Sequence, residues 1–324
     1  MAALAAGQIC LGLYLHESDV REAVARLVEQ AVLAEQSGFD GVTLAEHHAG
    51  FPTYLPNPLL ASSWILESTT RLWSGPLPLL PALRPPALVA EDLAWLAVRH
   101  PGRVVAGFAA GYHEDDFVAV GDEGYARRGA TYGARVREIA AALRGAADGP
   151  LAGDPALAVA AGVPLVGAAG SAAAARRAAD AGVGLLMDSM SADDALATVV
   201  AAWTGAGGAG PVLLNRRVWV GEPPLELFSR QLAGYRKKAE VGSWMQAAST
   251  DALVSGAPEQ IAERLAASIE ASNATALGLR VHVNGLAPAA AEEQIRLVGD
   301  RVLPLLRPLL PSPSGAIAGQ TKAK

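Results

Sequence analysis

Short apolar runs alternate regularly with longer amphipathic stretches along this chain, and that alternation constrains its fold more than any other feature. Runs at 9–15 (ICLGLYL), 41–46 (GVTLAE), 71–79, 103–108 (RVVAGF), 164–168 (PLVGA), 184–188 (GLLMD), 212–220 (VLLNRRVWV) and 276–282 (ALGLRVH) read as strands. Several lack the polar alternation of a half-exposed strand, as expected for strands buried on both faces of a parallel sheet. The intervening stretches carry helix signals. Asp19 and Glu22 make a capping-box pattern around Val20, Val24, Leu27 and Ala31, and Gly38 supplies a stop. Ser191 and Asp194 repeat the pattern before Leu196, Val199 and Trp203. Pro258 stands at a first helical position ahead of Ile261, Leu265 and Ile269. Eight such strands with helices between them predict an α/β fold, a (β/α)8 TIM barrel, with a doubly wound sheet as the rival topology. No linker rich in Pro, Ser or acidic residues divides the chain. A single domain is therefore expected over 1–310, with 145–162 as a loop insertion and 311–324 as a disordered tail.

Composition narrows the function classes. The chain has 324 residues, 51% hydrophobic and 18% charged, enough to bury a large core. A net charge of −6 gives nucleic-acid binding no electrostatic support. The single Cys10 excludes an intrachain disulfide and a cysteine-rich zinc site, which fits a reducing cytosol. The N-terminus MAALAAGQIC has no basic leader region, and no apolar run reaches membrane-spanning length. The expectation is a cytoplasmic protein with neither membrane nor nucleic acid as partner.

In a barrel of this kind the chemistry sits at the C-terminal ends of the strands. Those ends are Glu46-His47-His48 after the second strand, Pro78-Leu79-Leu80-Pro81 after the third and Ala109-Ala110-Gly111-Tyr112-His113 after the fourth. Ala169-Gly170-Ser171 follows the fifth, and Asp188 ends the sixth. His47, His48 and His113 could converge there, with His282 nearby, to hold a metal. Against this, adjacent histidines in an extended chain point to opposite sides, so at most one faces the mouth. No helical motif of histidine plus carboxylate supports a metal either, and none is expected. Gly170-Ser171 opens a helix (AAAARRAADAG), where free backbone N–H groups suit a phosphate, or where Ser171 simply caps the helix.

The segments GFDGVTLAEHH and LPNPLLASSWILESTTRLWSGPLPLLPALRPPALVAEDLAWLAVRHPGRVVAGFAAGYHEDDF resemble the bacterial-luciferase-like flavin-dependent monooxygenases and oxidoreductases. The resemblance resumes at PLVGAAGSAAAARRAADAGVGLLMD and SGAPEQIAERL. Each motif is weak alone; their order and spacing are specific. The resemblance implies a luciferase-like barrel that binds a reduced flavin or deazaflavin at its mouth and forms a homodimer through helices two and three (57–68 and 86–99). It implies that His47 is catalytic, an acid/base group near the flavin, that Glu46 orients or polarises it, and that His48 packs. The implied cofactor-binding residues are Leu77, Ala109, Ala110, Gly111, Tyr112, Ala169, Gly170, Ser171 and Asp188, with Met187 beside the last. Pro76-Leu77 takes the position of a non-prolyl cis peptide, and Asp116 and Phe117 fix the loop after strand four.

The departures from the family pattern are specific. Ala110 stands where luciferase has an arginine reaching the phosphate, Gly170 where it has a glutamate, and Ala109 where it has a cysteine. Arg84 replaces a histidine and is either a phosphate ligand or a surface charge. The implied activity uses reduced FMN (FMNH2) and O2 to oxygenate a small organic substrate, apolar or aromatic, with a flavin reductase as the flavin's source. The alternatives are hydride transfer with the 8-hydroxy-5-deazaflavin coenzyme and a non-catalytic flavin- or ligand-binding protein. Light emission is not implied.

Overall fold

Nine strands, paired in parallel, organise the structure, a computed structural model that describes residues 2–16, 19–146, 149–238 and 252–312. They are β1 (Ile9–Gly12), β2 (Gly41–Leu44), β3 (Trp73–Pro76), β4 (Ala106–Phe108), β5 (Leu165–Ala168), β6 (Gly184–Met187), β7 (Val212–Val220), β8 (Leu253–Gly256) and β9 (Ala276–Arg280). Pairing runs β3-β2-β1-β9-β7-β6-β5-β4. The two ends of that row meet through the single bridges Ser74–Val104 and Leu79–Phe108. The eight strands so joined make the nearly closed parallel barrel that the apolar runs predict. Closure at the β3–β4 seam depends on Gly75, where a Cβ would lie 1.8 Å from the Val105 carbonyl oxygen. Only glycine lets the two backbones approach that closely.

The ninth strand is the departure from expectation. β8 pairs with the second half of β7, from Arg217–Leu253 to Val220–Gly256, outside the ring of eight. Its four residues, LVSG, are too few to carry a period of their own.

Helices return the chain between strands: α1 (Val20–Gln36), α2 (Pro58–Ser68), α3 (Pro86–Arg99), α4 (Glu114–Ala119), α5 (Arg128–Leu143), α6 (Pro155–Val159), α7 (Ala172–Asp180), α8 (Asp193–Gly205), α9 (Leu225–Lys238), α10 (Pro258–Ser272) and α11 (Pro288–Leu297). Asp19 caps α1 as expected, accepting from the N–H groups of Arg21 and Glu22, and the helix buries Leu27 and Ala31. Pro258 opens α10 as expected. A large cluster of apolar side chains, among them Leu11, Leu44, Phe108 and Leu279, joins strands to helices. A second, with Cys10, Val105, Val166, Leu186 and Leu213, alternates with it along the strands. Both faces of the sheet are therefore covered, which is why the strands read as unbroken apolar runs.

Two local expectations are corrected. The stretch 145–162 is not a bare loop: Asp154 caps α6, which buries Ala156 and Leu157. Ser191 does not cap α8, which starts at Asp193 behind Ala192. The Asp188 carboxylate takes both the N–H and the hydroxyl of Ser191 instead. Residues 313–324 of the expected tail lie outside the described residues. No helix among the described residues is long and apolar enough to cross a membrane.

Candidate active site

The C-terminal ends of β2, β4, β5, β6 and β9 open into a cavity of about 310 Å³. The neighbouring ends of β4 and β5 contribute a run of short side chains to it, Ala109, Ala110, Gly111, Ala168, Ala169 and Gly170, which leaves a smooth stretch of wall. His47, Glu46, Tyr112, Ser171 and Asp188 also line it, so the structure brings all but one of the expected site residues together. Leu77 is the exception. Its N–H still bonds the Leu44 carbonyl within the sheet, and its side chain is buried with Cys10, Val105 and Val166. Pro78 and Leu80 line the cavity in its place. The cis peptide is likewise corrected: it is the prolyl bond Leu77–Pro78, one residue beyond the expected position.

His47 leaves β2 in an extended conformation and is clamped from several directions. Its Nδ1 lies 2.8 Å from Asp116 Oδ2, and the other carboxylate oxygen accepts the His48 backbone N–H at 2.7 Å. Asp116 is wholly buried at the start of α4. Burial works against its charge, but the hydrogen bond and charge of His47, with the His48 N–H, outweigh that and hold the carboxyl below its usual range. An ionised carboxylate only accepts, so His47 Nδ1 carries the proton and Nε2 is the nitrogen that serves the cavity. Phe51 stacks on the ring at 4.1 Å, and Tyr54 and Tyr112 meet it edge-on at 4.6 and 5.2 Å. Burial, with the neighbouring Tyr235, pushes the Tyr54 and Tyr112 hydroxyls well above the usual phenol range, so both stay neutral donors. Asp116 was expected to fix the loop after strand four; it does so through the histidine pair.

Glu46 plays a different part from the one expected. Its buried carboxylate accepts the Leu80 N–H and an Arg84 N–H at 2.7 Å, and meets His48 Nε2 at 2.9 Å. Alternation along residues 46–48 sends Glu46 and His48 to one side and His47 to the other. The expectation that Glu46 orients His47 is therefore corrected; Asp116 does. Arg84 is neither a phosphate ligand nor a free surface charge. Glu46 and the Pro56 carbonyl hold its guanidinium.

Ser171 takes the cap position of α7, accepting the Ala174 N–H at 3.3 Å. Asp188 closes its own loop, accepting from the Met190 N–H, the Ser191 N–H and the Ser191 hydroxyl at 2.7, 2.7 and 2.8 Å. Arg280, the last residue of β9, also lines the cavity and was not anticipated. Its signal in the sequence is an arginine ending the apolar run ALGLR, two residues before His282. The latter lies away from the cavity lining, stacked on Tyr14 at 5.2 Å and edge-on to His16 at 4.9 Å. Among the described residues no group of three or more His, Cys, Asp or Glu side chains is arranged to hold a metal ion.

A sequence profile of luciferase-like monooxygenases matches residues 7–276. The chain belongs to the luciferase-like monooxygenase family. It is similar to an F420-dependent glucose-6-phosphate dehydrogenase of Intrasporangium calvum, 34% identical over 102 residues that cover 30% of each chain. It is also similar to the alkanal monooxygenase alpha chain of Photorhabdus laumondii, 31% identical over 102 residues, 32% of this chain and 28% of the relative. The matches thus span less than a third of these relatives' length. A solved structure with the same fold is the oxygenating constituent of 3,6-diketocamphane monooxygenase from Pseudomonas putida, in complex with FMN. Its TM-score is 0.71 at 18% identity, over 92% of this chain and 98% of that one. The family therefore includes both flavin- and F420-dependent enzymes acting on small molecules.

Proposed function

We propose that this chain is a flavin-dependent monooxygenase that uses reduced FMN and O2 to oxygenate a small organic substrate, as a cytoplasmic homodimer fed by a flavin reductase. The observation that carries the reading is the His47–Asp116 pair at the mouth of the cavity. A protonated Nδ1 locked on a buried carboxylate leaves Nε2 free to take a proton from a reacting group and return it. The residues present fit a planar ring with a phosphate tail. The short side chains at the ends of β4 and β5 leave room for the ring, and the Ser171 hydroxyl with the first-turn N–H groups of α7 suits the phosphate. When bound, reduced flavin supplies the electrons for activating O2. Tyr54 and Tyr112 remain neutral hydrogen-bond donors beside His47, and with Phe51 they surround it with rings that exclude water.

Hydride transfer with F420 is the second reading, supported by the 34% identical F420-dependent relative. Anaerobic titration with reduced FMN and with F420 separately, followed by admission of O2, tests the two. Saturable binding of reduced FMN and O2 uptake coupled to substrate oxidation are expected. Binding of F420 alone, with hydride transfer and no O2 uptake, would replace this reading with the second. Binding of neither would leave a barrel that has lost the chemistry.

The proposed dimer uses α2 and α3, where Leu60, Leu88 and Trp95 are 50%, 55% and 61% exposed. Leu59, Leu66 and Leu93 of the same helices are buried in the chain's own core. A monomeric mass by light scattering at micromolar concentration would remove the dimer from the proposal.

A further inference from the structure

Arg280 is the one lysine or arginine side chain among the residues lining the cavity. Three other arginines of this protein have their partners within the chain. Arg216 pairs with Asp193, Arg217 bonds the Gln231 side chain and the His282 carbonyl, and Arg103 reaches two carbonyls and the Thr69 hydroxyl. Arg280 has no such arrangement. Its Nε is buried with no hydrogen-bond partner, its guanidinium lies over the Tyr14 ring at 5.8 Å, and the charge of Asp188 reaches it without a hydrogen bond between them. Arg84 and Arg177 share with Arg280 a buried Nε without a partner, but neither lines the cavity. Asp188 lines the same cavity, but its hydrogen bonds go to its own loop and none joins it to Arg280. The Tyr54 hydroxyl is engaged with that of Tyr235 at 2.9 Å. A guanidinium in a cavity wall with no hydrogen-bond acceptor is left under-satisfied, and an anion arriving from outside supplies the acceptor.

The side chain is also held in place. A Cβ at Gly12 would lie 3.2 Å from Arg280 Cγ, so the arginine's stem runs over the bare backbone of β1. Ring order then places the guanidinium relative to the rest of the mouth. β9 is separated from β2, which carries His47, by β1 alone, whereas β5, which leads into Ser171, is separated from it by β6 and β7. The charge therefore stands on the side of the acid/base histidine and away from the phosphate corner.

We infer that the substrate is an organic anion, with a carboxylate or equivalent group seated on Arg280 and an apolar or aromatic body against Tyr54 and Tyr112. This rests on the reading of the cavity as a small-molecule oxidation site and names the class of molecule it takes. Arg280 is on this account a specificity-determining residue: its planar fork matches the two oxygens of a carboxylate.

The test compares two probes of one shape, phenylacetate and phenylacetamide, titrated into the full-length wild-type protein and the Arg280→Met variant by ligand-observed NMR. Wild type should bind the acid about tenfold to hundredfold more tightly than the amide, and the variant should lose the difference. Equal affinity of wild type for both probes, or no saturable binding of phenylacetate, would overturn the inference. The wild-type comparison needs no variant, so the test survives a methionine variant that fails to fold. Reduced FMN and riboflavin provide the second arm, with their affinity ratio expected to be the same in wild type and variant. A variant that weakens FMN and spares riboflavin would assign Arg280 to the cofactor's phosphate and overturn the proposal. A protein that binds no flavin yet prefers the acid would refute the monooxygenase reading and leave the anion site standing.

Discussion

His47 and His282 are buried to the same degree, each 6% exposed, yet the two sides of the barrel mouth treat them in opposite ways. On the β2 side His47 faces a buried carboxylate at 2.8 Å, and its second nitrogen serves the cavity. On the β9 side His282 lies between Tyr14 and His16, with Arg217 bonded to its carbonyl. Burial first, then the charges of His16 and Arg217, lower its pKa to about 3. One imidazole has a carboxylate as its hydrogen-bond partner; the other is buried among groups that disfavour its charged form. Burial alone does not make a histidine functional, and the partner it is buried with decides its chemistry.

The comparison is broken most directly at His47. His47→Ala should fold normally and lose turnover by roughly 10²–10⁴ if the ring moves a proton; near-wild-type turnover at saturating reduced cofactor would end the assignment. Asp116→Asn keeps the shape and removes the charge. Losing a charge-assisted hydrogen bond costs about 1.5–3 kcal/mol, so turnover should fall by roughly one to two decades. Near-wild-type turnover would reduce Asp116 to a loop anchor.

The phosphate corner sharpens the comparison from a third direction, since no cationic side chain lines the cavity there. Ala110→Arg should tighten reduced FMN by about one to two decades, the worth of one charge-assisted contact, and barely affect riboflavin. Ser171→Ala should weaken FMN and spare riboflavin. It should also lower stability by about 1 kcal/mol, because the same hydroxyl caps α7. If Ala110→Arg moves both flavins equally, the phosphate lies elsewhere.

These outcomes bear on how much of the molecule could be read from its sequence. The eight barrel strands were legible because strands covered on both faces leave unbroken apolar runs, and the strand ends named more than half of the cavity lining. What escaped is what depends on pairing across the ring. Glu46 is adjacent to His47 in sequence but bonds Arg84 and His48, while Asp116, 69 residues away, supplies the partner. Leu77 fell one pleat below the mouth, a displacement that a run of alternating prolines hides. Arg280 was passed over because an arginine closing an apolar run looks like a strand terminus; only its missing acceptor marks it.

The smallest effect expected tests the silent side of the comparison. His282 takes up a proton near pH 6.5 in the unfolded chain and only near about 3 in the folded one. Between those values the unfolded state holds more protons, so stability that is full above about pH 6.5 is lost as pH falls toward the folded value. One proton contributes at most about 1.4 kcal/mol per pH unit, hence about 2 kcal/mol between pH 7 and pH 5. Asp116, held below the usual carboxylate range, adds its own loss only below about pH 4, outside that window. His282→Gln cannot take up the proton. Its urea-unfolding free energy should therefore decline less than the wild type's from pH 7 to pH 5, whatever the substitution costs at pH 7. Parallel declines would mean that the folded protein protonates His282 as readily as the unfolded chain does.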